Sequence, residues 1–139
     1  MRTELRLQAS VILEWVGPLL LCPSEVSRVP DGVSGIYMLH AFFPSFGGYA
    51  VFYVGRASDI RRRLNQHLGP RTTKTLIRAA RELDQAWWSA APVLEPELLA
   101  SVETGLIRAL RPICNAQVPR AEPLPVNLPP LSFRSAIIT

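Results

Sequence analysis

The fold is decided by one stretch, residues 35 to 67, which reads GIYMLHAFFPSFGGYAVFYVGRASDIRRRLNQH. Residues 35 to 42 and 49 to 54 are rich in β-branched and aromatic side chains, which is typical of β-strands. The segment between them contains a proline and two consecutive glycines, which is typical of a hairpin loop. We therefore expect two antiparallel strands, in a register that can bring Tyr37 and Tyr53 onto the same side of the sheet.

Alternation along the second strand predicts which of its side chains share a face. Successive side chains of a regular strand point to opposite faces of the sheet. Val51 is therefore expected on the face of Tyr53, and Phe52 on the face of Val54.

A short amphipathic helix is predicted after the second strand. Gly55 ends the strand, and Ser58 has the short polar side chain that favours a helix N-cap, with Asp59 in the first turn. Arg63 and His67 are four residues apart, so we expect them to lie side by side on one flank of this helix. The apolar stripe of the helix consists of Ile60, Leu64 and Leu68.

The rest of the chain predicts further elements around this core. Hydrophobic periodicity and proline or glycine boundaries mark them. They are a helix over residues 3 to 16, a strand or buried loop over 19 to 22, a helix that begins at Thr72 or Thr73, a third strand at 86 to 88, and a helix between residues 95 and 111. Proline is frequent from Pro119 onward, so this tail either drapes over the domain or stays loose.

The composition indicates one compact globular domain. The chain has 139 residues, of which 48% are apolar and 19% are charged, so it can bury a core and is too apolar to be disordered. A net charge of +4 permits nucleic-acid binding.

Cys22 and Cys114 are far apart in sequence, which argues against a zinc pair or a disulfide framework and indicates a cytoplasmic protein. No segment resembles a membrane span or a signal peptide.

The order of these motifs resembles the GIY-YIG nuclease family, which includes repair, homing and restriction endonucleases. Gly35-Ile36-Tyr37 resembles the first family motif, and Tyr53-Val54-Gly55 resembles the second, with valine in its middle position. The matching residues that follow are Arg63, His67, Glu103 in a glutamate helix, and the closing Pro112 and Asn115. Arg56 stands where the family often has lysine, and the hairpin is longer than in compact members. The resemblance implies an α/β fold with a small central antiparallel sheet of about three strands, flanked by helices, and an active site on one sheet face.

The resemblance also implies a role for each site residue. Phosphodiester hydrolysis needs an activated water and neutralisation of charge on the phosphoryl oxygens. Tyr37 or Tyr53 is expected to activate the water, and Arg63 to grip the phosphate with its planar fork. Glu103 is expected to bind a divalent metal, Mg²⁺ or Mn²⁺, and His67 to bind phosphate or relay a proton. The supporting residues are Gly35, Gly55, Arg56 and Asn115.

DNA is the expected partner. Five basic residues are candidates for sequence-independent contacts to phosphates, namely Arg56, Arg62, Lys74, Arg78 and Arg81. The last three lie at helical spacing and equally fit an ordinary solvated helix face. Trp87 and Trp88 fit a strand packed on both sides better than a platform for base stacking.

Three parts of the chain are expected. Residues 1 to 32 form an N-terminal extension that packs on the core, residues 33 to 117 form the nuclease domain, and residues 118 to 139 form a proline-rich tail. Because this leaves no room for a separate DNA-binding domain, we expect weakly specific or structure-specific cutting, or a protein partner or homodimer that supplies recognition. Repair, recombination, restriction, homing, anti-phage defence and a toxin role are all open as the process.

Two other function classes remain open at this point. One is a catalytically silent nucleic-acid-binding module, or a subunit of a larger DNA-processing complex, which would predict the loss of a key residue. The other is a protein-interaction domain whose proline-rich tail is the active part. The full set of motif residues favours an endonuclease over both.

Overall fold

The computed structural model describes residues 12–43, 48–69, 86–112, 115 and 121–129 of the chain. Four strands and three helices lie in these ranges. In chain order they are β1 (Val16–Leu20), α1 (Pro23–Val26), β2 (Gly35–Phe43), β3 (Gly48–Ala57), α2 (Ile60–Leu68), β4 (Ala86–Pro92) and α3 (Pro96–Leu110). None of these helices is both long enough and apolar enough to cross a membrane.

The strands form one antiparallel sheet in the order β1-β4-β2-β3. The predicted hairpin pairs β2 with β3, and Tyr37 lies opposite Gly55 while Leu39 lies opposite Tyr53. The predicted fold class is confirmed, with four strands where about three were expected. The additional strand is β1, which overlaps the segment predicted as a strand or buried loop and pairs with β4 at the far edge of the sheet.

A β-bulge in β3 changes the predicted faces of this strand. Leu39 pairs with Tyr53 and His40 pairs with Val51, so Phe52 is an extra residue in β3. Phe52 and Tyr53 consequently pack on the same side of the sheet, whereas Val51 and Val54 pack on the other. The expectation of strict alternation was therefore wrong here, because an inserted residue shifts the alternation of a strand by one position.

The sheet is covered on both faces, and each face has its own apolar core. On one face α2 packs through Ile60 and Leu64 against a cluster that contains Tyr37, Leu39 and Trp88. On the other face α3 packs through its apolar stripe. That second cluster combines Val102, Leu106 and Ile107 of α3 with Ile36, Met38 and Val54 of the sheet. The two faces of the sheet therefore present different side chains next to β3, the last strand in the sheet order.

The N-cap of α2 is Asp59 rather than Ser58. The Asp59 side chain accepts a hydrogen bond of 3.1 Å from the backbone N–H of Arg62. Such a cap typically contributes about 1 kcal/mol. The prediction was wrong by one residue, because both residue types can cap and only the backbone geometry selects between them. The end of the helix at Gly69 agrees with the sequence.

The N-terminal segment differs from the predicted helix. Residues 12 to 15 are irregular and Val16 begins β1, while residues 3 to 11 lie outside the described ranges. Val16 pairs with Ala90 of β4, and the backbone of Leu13 is hydrogen-bonded to Asn127. Over residues 12 to 16, tertiary contacts therefore override a weak helical pattern, which carries little stability in a short segment.

The described part of the proline-rich tail drapes over α3. The backbone N–H of Leu124 donates to the carbonyl of Ser101, at 3.0 Å, and the Leu124 backbone fills the place where a side chain at position 105 would project. Gly105 is thus required by close approach of this backbone. Asn127 then hydrogen-bonds the backbone of Leu13 at 2.6 and 2.9 Å, which joins the two ends of the described chain.

Candidate active site

Tyr37 lies at the centre of the predicted site. Its side chain is completely buried, and its hydroxyl shares a hydrogen bond of 2.8 Å with Nε2 of His67. The ring lies directly over Gly55, where an added Cβ would come within 2.5 Å of the Tyr37 hydroxyl. Any other residue at position 55 would therefore displace this ring, which explains the glycine in the second motif.

Three aromatic rings meet on this face of the sheet. The ring centroids of Tyr37 and Tyr53 are 6.0 Å apart, and each lies 5.6 Å from the ring of His67. These distances are those of favourable tilted aromatic contacts. The prediction that Tyr37 and Tyr53 share a side of the sheet is confirmed, and His67 joins them from the last turn of α2.

Arg63 adds a cation to this cluster. Its guanidinium lies beside the hydroxyls of both tyrosines and interacts with them electrostatically. It also donates to Oε1 of Gln66 at 3.0 Å, one turn along α2. Gln66 was missed by the sequence analysis, although its position three residues after Arg63 would have shown that the two side chains are neighbours.

The surroundings of Tyr37 hold its hydroxyl in the protonated form. Burial raises the pKa of Tyr37 well above its ordinary value of 10.0, and the neighbouring Tyr53 raises it further. Arg63 opposes this shift because a cation favours the phenolate. Burial is the largest of these causes, so Tyr37 remains a hydrogen-bond donor at neutral pH.

A hollow of about 210 Å³ opens where β3 ends and α2 begins. Three arginines, Arg56, Arg62 and Arg63, line it together with Gln66. Arg62 is exposed, as a side chain that meets a ligand should be. The hollow is therefore a positively charged concavity beside the tyrosine and histidine cluster, of a kind that suits a phosphate group.

Glu103 lies on α3, on the other side of the sheet from the tyrosines. Its carboxylate Oε1 is 3.3 Å from Nε of Arg56, and its side chain is only 13% exposed. Burial raises the pKa of Glu103 and the charge of Arg56 opposes this shift. Its ion-pair partner, Arg56, comes from a strand that is distant along the chain.

The predicted site residues are thus divided between two faces, whereas a single face had been expected. Tyr37, Tyr53 and His67 lie on the α2 face. Glu103 belongs to the helix that packs on the opposite face. Arg56 links the two groups, since it contacts Glu103 and also lines the hollow that contains Arg63.

The carboxylate of Glu103 fits a magnesium ion that keeps most of its water. The described residues include no group of three or more histidine, cysteine, aspartate or glutamate side chains that could enclose a metal. Mg²⁺ commonly retains several waters and binds through one or two carboxylates, so one partly buried glutamate meets its requirement. The Arg56 guanidinium would have to share or release this carboxylate.

Asn115 fixes the outer strand next to the second motif. Its side-chain amide accepts from the backbone N–H of Val54 at 2.9 Å and donates to the Val54 carbonyl at 2.8 Å. These two bonds imitate the pairing of a further strand and satisfy the outer edge of β3 at this point. Gly35 lies at the start of β2, where it is paired with Ala57 and Pro92.

Several predicted contacts fall outside the described ranges. Lys74, Arg78 and Arg81 are among these, as is the helix predicted to begin near Thr72. Trp88 is fully buried and Trp87 is partly buried within β4, as expected for a packed strand.

The described fold resembles solved structures of the GIY-YIG N-terminal endonuclease domain of UvrC from Thermotoga maritima. A point mutant of that domain bound to its catalytic divalent cation matches with a TM-score of 0.53 and 17% identity, over 69% of this chain and 100% of the domain. The domain bound to magnesium matches with a TM-score of 0.52 and 18% identity, over 68% of this chain and 100% of the domain. The predicted resemblance is confirmed at the level of fold.

No family profile and no curated protein matches the chain. The shared fold therefore stands on the three-dimensional arrangement of the sheet and helices.

Proposed function

We propose that this chain is a metal-dependent endonuclease that hydrolyses DNA phosphodiester bonds. One observation carries the proposal: Tyr37, Tyr53 and His67 form a triangle of rings with the Arg63 guanidinium at the tyrosine hydroxyls. Packing of the three rings does not by itself require a cation beside the tyrosine hydroxyls. A cation beside ionisable hydroxyls, at the rim of a hollow lined with arginine, suits the binding and attack of a phosphate.

Tyr53 is the better candidate for the group that activates water. Tyr37 is completely buried and its pKa is raised by that burial, so its phenolate is strongly disfavoured. Tyr53 is only partly buried and contacts the same arginine. A general base must reach the water whose proton it accepts, and Tyr53 has the greater access to solvent.

Tyr37 and His67 would then hold the geometry of the site. The protonated Tyr37 hydroxyl can donate to Nε2 of His67, which implies the tautomer with its hydrogen on Nδ1. The oxygen of Tyr37 can meanwhile accept from Arg63. This arrangement would aim the guanidinium at a phosphate in the hollow.

Glu103 would hold the metal, as Mg²⁺ or Mn²⁺. When bound there, the ion supplies charge neutralisation for the phosphoryl and leaving oxygens. Arg56 would keep the Glu103 carboxylate ionised for metal binding, because its positive charge counteracts the effect of burial on the Glu103 pKa.

DNA is the proposed substrate. A protein partner or a second copy of the chain would supply substrate recognition.

The proposal is tested by cleavage of labelled plasmid, linear, branched and single-stranded DNA in Mg²⁺, in Mn²⁺ and in EDTA. The matched variants are Glu103→Gln and Glu97→Gln. Both remove a carboxylate from α3, but Glu97 is exposed in the first turn of the helix, ahead of Glu103, and forms no ion pair with a described residue. We expect metal-dependent cutting by the wild type and by Glu97→Gln, and none by Glu103→Gln.

Absence of cutting on every DNA, by preparations that are folded and bind DNA, would contradict the proposal. Such a result would favour the nucleic-acid-binding module without catalysis. Equal cutting by Glu103→Gln and the wild type would remove Glu103 from the mechanism.

A further inference from the structure

A second, larger hollow lies at the C-terminal end of α3. Its volume is about 500 Å³, within the range typical of ligand sites. It is lined by Ile107, Arg108, Arg111, Pro112 and Asn115. The described lining therefore combines two arginines with an apolar floor, and of these residues only Asn115 belongs to the site described above.

The position of this hollow relates it to Glu103. Glu103, Ile107 and Arg111 are spaced by four residues, so they follow one another along one flank of α3. At 1.5 Å per residue, eight residues place Arg111 about 12 Å beyond Glu103 along the helix axis. Asn115 joins the same hollow to Val54 of β3, two residues before Arg56.

Arg56 of the Arg56–Glu103 pair lines the smaller hollow, and the larger hollow lies beyond Glu103 along α3. The smaller one presents Arg56, Arg62 and Arg63, and the larger one presents Arg108 and Arg111. Among the described residues that line the two hollows, Asp59 is the only acid. Glu103 is the only described acid that forms an ion pair with one of these arginines. A continuous anionic polymer that crossed Glu103 would meet arginines before and after it.

Both guanidinium groups of the larger hollow are available to a ligand. Arg108 and Arg111 are exposed, and neither forms an ion pair with a described residue. Arginine binds phosphate through a planar fork of N–H donors, and two such forks at one concave surface suit adjacent phosphodiesters.

A purely structural role for these arginines is the simpler alternative. Cations in the last turn of a helix interact favourably with its dipole. Arg108 is in the last turn of α3, and Arg111 is its left-handed C-cap, with φ of 48° and its N–H bonded to the Ile107 carbonyl. This role predicts that neutralising them lowers the melting temperature and leaves DNA affinity unchanged.

We propose that the hollow at Arg108 and Arg111 binds the DNA backbone outside the scissile phosphodiester. This inference rests on the proposed function, because it takes DNA as the ligand and Glu103 as the place of cutting. The separation of about 12 Å corresponds to about three to four nucleotides at 3.4 Å per nucleotide along a duplex. The contacts would be with phosphates, so they would add affinity without sequence preference.

The test measures DNA affinity apart from cleavage. A fluorescent mixed-sequence duplex is titrated in EDTA over a series of salt concentrations, with the wild type and the variant Arg108→Gln/Arg111→Asn. Glutamine matches arginine in helix propensity, and asparagine tolerates the left-handed conformation at position 111. The control is Arg28→Gln, which removes an exposed arginine that follows α1, on the other face of the sheet.

We expect the double variant to lose affinity by about tenfold and its salt slope to fall by about 1.8, since each phosphate contact contributes about 0.9. Arg28→Gln should match the wild type in both quantities. If the double variant does not fold, Arg108→Gln alone should lower the slope by about 0.9.

Unchanged affinity and salt slope in the folded variant would overturn the inference. If its melting temperature were also lowered, both arginines would have only the structural role of stabilising the end of α3. A failure of this inference can be told apart from a failure of the proposed function. If the wild type cuts DNA and the double variant binds it equally well, only the larger hollow loses its role. If the wild type neither binds nor cuts DNA, both proposals fall.

Discussion

The chain has two histidines, one on each face of the sheet, and each shares a hydrogen bond of 2.8 Å with a hydroxyl. His67 bonds Tyr37 on the α2 face, beside Arg63 and an arginine-lined hollow. His40 bonds Ser89 on the other face, where both side chains are completely buried.

The difference between these pairs shows that a histidine and a hydroxyl at bonding distance do not by themselves make an active site. Burial lowers the pKa of His40 to about 3, so it remains neutral and serves the core. The pair on the α2 face has a cation at the hydroxyl and access to solvent through Tyr53. Five substitutions, grouped in four predictions, can sharpen or break this contrast.

The largest expected effect is that of Tyr53→Phe compared with Tyr37→Phe. If Tyr53 activates the water, its replacement should lower kcat by about a thousandfold, within the range for a general base. Tyr37→Phe loses only the positioning contacts and should lower kcat by about tenfold to a hundredfold. Single-turnover cleavage measures both rates, and the reverse order would assign the base to Tyr37.

The next effect is that of His67→Gln compared with His40→Gln. We expect the change at His67 to lower cleavage by about a hundredfold, because Tyr37 and Arg63 lose their alignment. His40→Gln should cut at the wild-type rate per folded molecule. Rates normalised to the folded fraction test this, and equal losses in the two variants would erase the contrast between the faces.

The third prediction concerns stability and pH. The pKa of His40 is near its ordinary value of 6.5 in the unfolded chain and about 3 in the folded chain. Below pH 6.5 the unfolded chain therefore binds a proton that the folded chain rejects, so the free energy of unfolding falls as pH falls. Between pH 6.5 and about pH 3, His40 changes the free energy of unfolding by about 1.4 kcal/mol per pH unit. Above pH 6.5 this slope vanishes.

Urea unfolding from pH 7.5 to 4.5 measures this contribution as the difference between the wild type and His40→Gln. The variant should lose the part of the slope due to His40, while the slopes from the carboxylates remain in both proteins. Parallel curves for the two proteins would show that His40 is not the buried neutral group described above.

The smallest expected effect is that of Asn115→Ala. It removes two hydrogen bonds to Val54 and should cost about 1 to 3 kcal/mol of unfolding free energy. Because Val54 precedes Gly55, cleavage should also fall by a few fold as the second motif loosens. Chemical denaturation and cleavage assays measure these changes. A larger loss of activity than of stability would give Asn115 a direct part in the site.

The sequence was informative where the interactions are local. The hairpin, the apolar stripe of α2 and the spacing of Arg63 and His67 follow from short-range patterns, and the structure agrees with them. The shared face of Tyr37 and Tyr53 required one suitable register of the hairpin, and the structure has that register.

The sequence was uninformative where distant segments meet. The pairing of Glu103 with Arg56 depends on how α3 packs on the sheet, and no spacing along the chain reveals it. The bulge at Phe52 and the pairing of β1 with β4 are also tertiary outcomes. The division of the site between two faces follows from the same packing, so it became visible only in three dimensions.

The contact between Asn127 and Leu13 has a consequence for anything tethered to this domain. Two hydrogen bonds hold these residues together although 114 positions separate them in sequence. A segment joined ahead of Leu13 and one joined beyond Asn127 would therefore start from one point on the surface. A flexible linker there would give an attached module nearly the same reach and effective concentration at the arginine-lined hollows, whichever end carries it.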